Sequence, residues 1–82
     1  MIITDNEIKD WETVEIFVET EGVNKITVKM LHREPKYIYT FIKKNSPVDA
    51  VDVFKRFPKF DVKEILYNLR DSYLIFFKRK VK

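Results

Sequence analysis

The chain has 82 residues, 15% of them aromatic, with 16 Lys and Arg against 13 Asp and Glu and a formal net charge of +3. That is the size of one domain, 1–82, which buries only about 60% of its unfolded surface and so needs an efficient core. The absence of Cys excludes disulfides and thiolate metal sites. The run Tyr73–Phe77 is far too short for a bilayer span, and the opening MIITDNEIKD lacks the basic and apolar regions of a secretory signal, so a soluble cytoplasmic protein without a membrane partner is expected.

Charge is divided unevenly along the chain. Residues 1–34 hold four Lys and Arg against eight Asp and Glu, whereas residues 35–82 hold twelve against five. A basic second part suggests a polyanionic partner. The plainer alternative is a solvated surface with an acidic end and a basic end.

Thr4-Asp5-Asn6-Glu7 is read as the cap of a short helix running to Trp11. Thr13–Thr20 alternates, with Val14, Ile16 and Val18 on one side and Glu15, Phe17 and Glu19 on the other, which predicts a half-buried strand. Glu21-Gly22-Val23-Asn24 reads as a turn, with Gly22, the sole glycine, supplying a positive φ. Lys25–Leu31 alternates again through Ile26, Val28 and Met30. The two runs predict a β-hairpin over 13–31 within an N-terminal segment, 1–34.

From residue 35 the period changes. Glu34-Pro35 reads as a cap and a first helical residue, and Tyr37, Ile38, Phe41 and Ile42 form an apolar stripe. A helix over 36–45 is favoured over a third strand, although YIYTFI also has high β-propensity. Ser46-Pro47 breaks the chain. Asp49 with Asp52, and Asp61 with Glu64, have the spacing of capping boxes, and Val48/Val53 and Phe60/Ile65 that of hydrophobic staples. Helices follow over 49–57 and 61–71, the first stopped by Pro58. In the second, Val62, Ile65, Leu66 and Leu69 share one face. Tyr73–Lys80 then reads as a strand beside the hairpin.

The series YIYTFIKKN, SPVD, AVDVFKRF, PKF, DVKEILYNLRD and LIFFKRK resembles the winged helix-turn-helix domains of small transcription regulators. The resemblance covers 36–80, and implies an α+β fold in which the N-terminal hairpin pairs with the C-terminal strand. It departs from the family twice: the turn between the second and third helices has no Gly, and the third helix is followed by one strand instead of a two-stranded wing. It implies double-stranded DNA as partner, with the helix 61–71 in the major groove. Lys63, Tyr67 and Asn68 would then meet base edges, while Lys59, Arg70, Lys78, Arg79 and Lys80 would meet phosphates. Glu64 and Asp71 oppose this unless capped or paired, and an ordinary solvated helix face accounts for the same residues.

The alternative is a winged-helix scaffold that binds and inhibits a host protein, in the manner of small phage or archaeal-virus proteins. The acidic hairpin would be its docking surface, with Phe17 and Leu31 exposed. Catalysis is not expected. His32 is the sole histidine and has no nucleophile at a meaningful spacing, and the chain carries no P-loop, metal-ligand cluster or cofactor motif. Trp11 is read as a lid on the core, and a homodimer is among the states the sequence allows.

Overall fold

The computed structural model describes residues 2–4, 7–22 and 25–80. The order of elements is β1 (Ile2–Ile3), a 3-10 turn (Trp11–Thr13), β2 (Val14–Val18), α1 (Lys25–Lys29), α2 (Arg33–Asn45), β3 (Val48–Asp49), α3 (Ala50–Arg56), α4 (Val62–Asp71) and β4 (Ile75–Arg79). The strands form an antiparallel sheet ordered β1-β4-β2-β3. The architecture is therefore α+β, with helices packed on one side of the sheet.

Period-two alternation decides which side. Val14 and Ile16 of β2 and Phe77 of β4 are fully buried, and Ile16 stands opposite Phe77 in the ladder. Ile38 and Ile42 of α2, Val53 of α3, and Leu66 and Leu69 of α4 close over them into one cluster. Trp11 is the lid expected of it. Its ring lies 5.3 Å from Phe54, 5.6 Å from Tyr67 and 5.7 Å from Phe77, joining the N-terminal segment to two helices and the sheet. Residues of the opposite register, Glu15, Phe17, Phe76 and Lys78, are half-buried, and Ile2 is exposed. None of the buried residues lies on that outer side.

The predicted hairpin does not form. β2 lies between β4 and β3: β4 pairs along its whole length, β3 takes Glu15 and Ile16, and Val18 N–H donates to Ser46 Oγ at 3.1 Å. Residues 25–31 have no free edge of β2 to join, and their backbone groups pair locally instead, Met30 N–H donating to Ile26 O at 3.0 Å and Leu31 N–H to Val28 O at 3.2 Å. Val28 and Leu31 then face the core, while Ile26 and Met30 point to solvent. Gly22 has the expected positive φ of 69°. Val23 and Asn24, the rest of that turn, lie outside the described residues, as do Asp5 and Asn6 of the expected N-terminal cap. Glu7–Asp10 are not helical, and the 3-10 turn starts only at Trp11.

The three later helices stand where the pattern placed them, with differences at their ends. α2 begins at Arg33 behind His32, so Pro35 is its third residue and not its first. An N–H at that position has no intrahelical acceptor, so proline costs no helical bond there. Tyr39, not Tyr37, is the buried tyrosine of α2. Asp49 and Asp61 occupy the N-cap positions of α3 and α4, but neither side chain makes a capping hydrogen bond. Asp49 turns instead to Lys80, whose Nζ lies 2.9 Å away.

α4 ends in a Schellman motif: Leu74 N–H donates to Leu69 O at 3.1 Å and Tyr73 N–H to Arg70 O at 2.9 Å. Tyr73 takes the left-handed position, with φ of 61°. Tyr73 and Leu74 therefore terminate the helix, and the strand starts at Ile75 rather than Tyr73.

Candidate nucleic-acid interface

The residues expected to contact DNA separate into three groups. Lys59, in the turn between α3 and α4, and Lys63 and Asn68, on the solvent side of α4, are exposed. Val62, Ile65, Leu66 and Leu69 point inward, so this outward placement follows from the helical period. Lys63 also leans toward α3, its Nζ 6.0 Å from the Phe54 ring.

Tyr67 and Arg70 are engaged elsewhere. The Tyr67 hydroxyl accepts a hydrogen bond from Ile8 N–H at 2.7 Å, and its ring packs beside Trp11. The Arg70 side chain is 12% exposed, with its guanidinium 5.2 Å from the Tyr67 ring, 5.5 Å from the Phe77 ring and 3.5 Å from Asp71. These two residues tie α4 to the N-terminal segment and the sheet, and neither presents its polar end to a groove. Sequence reasoning missed this because only the N-terminal segment, distant in sequence, converts a polar helix position into a packed one.

The basic end of β4 is divided by the pleat. Lys78 lies over the outer rings, its Nζ 5.0 Å from Phe17 and 5.5 Å from Phe76. Arg79 donates to Thr13 Oγ1, and Lys80 pairs with Asp49. All three have partners within the chain, and the pleat divides them between the two faces of the sheet.

A different cationic surface lies between α2 and α3. Lys36, Lys44 and Arg56 line a cleft floored by Tyr37, Phe41 and Phe57, and no carboxylate lines it. Three local patterns produce it. Lys36, Thr40 and Lys44 follow at i, i+4 and i+8, the polar stripe beside the buried Ile38 and Ile42. Phe41 meets Phe57, the residue just past the end of α3, edge-on at 5.7 Å, which sets the end of α3 against α2. The Arg56 guanidinium rests 5.6 Å from the Phe57 ring, an arrangement that holds a charge in place while leaving it solvated.

The surface continues beyond the cleft. Phe57 stacks on Phe60 at 5.5 Å, and both rings also border the depression that holds Asp61 and Lys63 at the start of α4. Tyr37 connects it to Arg33, whose Nε donates to the Tyr37 hydroxyl at 3.1 Å. That hydrogen bond raises the Arg33 pKa above its ordinary value. Arg33, Lys36, Lys44, Arg56 and Lys63 thus surround a strip of rings where only Glu34 and Asp61 oppose them. The i, i+4, i+8 stripe was visible in the sequence, but the contribution of Arg56 depends on how α3 docks.

Chemically, the surface can bind anions and stack planar groups. Among the described residues no cluster of three or more His, Cys, Asp or Glu could hold a metal ion, and no helix is long and apolar enough to cross a membrane. No protein-family model matches the chain, and no curated protein or solved structure matches it either.

Proposed function

We propose that the chain binds double-stranded DNA as a small transcription regulator of winged helix-turn-helix type, gripping the phosphate backbone through the α2–α3 cleft. The observation that carries this reading is the cleft itself, which sets Lys36, Lys44 and Arg56 together with no carboxylate among its lining residues. Eight residues of helix separate Lys36 from Lys44, about 12 Å along the axis, and one DNA strand presents a phosphate about every 3.4 Å of its own axis. Several phosphates can therefore be in reach at once. Exposed Lys63 and Asn68 on α4 are left to meet the groove, and Asn68 has the donor and acceptor pair that suits adenine.

The topology supports the winged-helix part of the proposal. β3, α3, α4 and β4 follow in the order such domains use, and β2 supplies from the N-terminal side the partner that a second wing strand would give β4. The phosphate contacts assigned here differ from those the sequence suggested. Arg70, Lys78, Arg79 and Lys80 are replaced by Lys36, Lys44 and Arg56, and Tyr67 leaves the interface. The protein-docking alternative loses its hairpin and also Leu31, which packs against the core.

Fluorescence anisotropy on a mixed-sequence duplex between about 50 and 200 mM salt tests the proposal. The wild type binds at low salt with a steep salt dependence. A Lys36→Ala/Lys44→Ala/Arg56→Ala variant weakens binding on every sequence and flattens the log K against log salt slope by about 0.9 per lost contact. No duplex binding by the wild type at low salt, or a triple variant with unchanged slope, overturns it.

A further inference from the structure

The outer face of the sheet carries a cluster of rings and charges. At its centre Phe17 of β2 stands opposite Phe76 of β4, the rings stacked at 5.3 Å with 7° between their planes. Lys78 lies over both rings, and Ile2, 54% exposed, extends the apolar patch onto β1. Charges of both signs flank the rings, because Glu15 is the cross-strand neighbour of Lys78 and Glu19 follows just past the end of β2.

Those charges select the partner. A polyanion would meet Glu15 and Glu19, and a purely apolar surface would strip water from Lys78 without replacing it. The ladder register itself supplies a complement. A two-fold axis running along the strands, between β2 and β4, sets Lys78 over Glu15 of the partner subunit and Glu15 over Lys78 of the partner subunit. The same rotation sets Phe17 over Phe76 of the partner subunit. An isologous interface requires this self-complementarity. We propose that the outer sheet face pairs with the same face of a second copy of this chain.

The face is small. Five-residue strands span about 17 Å and four strands about 14 Å, which falls short of the roughly 800 Å² per partner of a stable interface. The dimer is therefore of the weak, transient kind.

Sedimentation equilibrium of the full chain from about 10 μM to about 1 mM tests this. The apparent mass should rise from 10.0 kDa toward twice that value as concentration increases. Phe17→Ser, Lys78→Glu and Glu15→Lys should each hold the chain at the monomer mass, with far-UV circular dichroism confirming that each is folded. Mixing the Lys78→Glu and Glu15→Lys chains places opposite charges across the axis and should restore association, which repair within one chain cannot do. The Lys36→Ala/Lys44→Ala/Arg56→Ala variant should dimerise as the wild type does, so failure of DNA binding leaves this test intact. A monomer throughout the range, association unchanged by Lys78→Glu, or a mixture no larger than its parts would overturn the proposal.

Discussion

Tyr73 shows how a single side chain can be both exposed and costly. It is 79% exposed and holds the left-handed position of the Schellman motif, where a Cβ meets the following carbonyl. Replacing it removes that clash and loses little packing. Tyr73→Gly should stabilise the fold by about 0.5–1 kcal/mol, read as a higher urea midpoint at unchanged m-value. Destabilisation would mean that the ring, not the backbone, is what matters there. The sequence marked the helix end through Asp71-Ser72 but hid the strained residue, because no glycine announced it. Tyr67 and Arg70 were hidden for another reason. Their spacing put them on the polar side of α4, but Ile8 and Trp11, nearly sixty residues away, draw Tyr67 into packing, and Arg70 lies over the Tyr67 and Phe77 rings.

At the scale of elements, what was legible is what local chemistry decides. α2, α3 and α4 followed from apolar periodicity, from the break at Ser46-Pro47 and from the stop at Pro58, β2 followed from alternation, and β4 from its aromatic and β-branched run. α1 was read as a strand because alternation over seven residues does not say whether a partner strand exists. Pairing of β2 with β3 and β4 is a non-local event, and it removed the edge that 25–31 needed. Truncation distinguishes the two readings. As a strand, Ile26, Val28 and Met30 would be equivalent. As a helix, Val28→Ala and Leu31→Ala should each cost about 1–2 kcal/mol, whereas Ile26→Ala and Met30→Ala should stay within about 0.5 kcal/mol in denaturant melts. Equal losses at 26, 28 and 30 would restore the strand.

For the molecule as a whole, the acidic and basic parts of the sequence do not become two ends. β2, from the acidic part, runs between two strands of the basic part, so Glu15 lies between Asp49 and Lys78. The cations of the second part are therefore not all along β4: Lys36, Lys44 and Arg56 gather where α2 meets the end of α3. Everything converges on one core with Leu66 at its centre, fully buried between α4 and the sheet. Leu66→Ala should cost about 2–5 kcal/mol, a large share of what a domain of this size can hold. A loss below about 1 kcal/mol in a denaturant melt would show that the core closes around the vacancy.

The outer strands of the sheet are each two residues long, and β3 turns directly into α3. An incoming chain would find only a pair of ladder positions on either flank, too few to template cross-β growth. A chain that is 15% aromatic, with paired phenylalanines on an uncovered sheet face, is thereby kept from assembling into amyloid along its edges. The pairing proposed for the outer face would instead run face to face and close at two copies rather than propagate as a fibre.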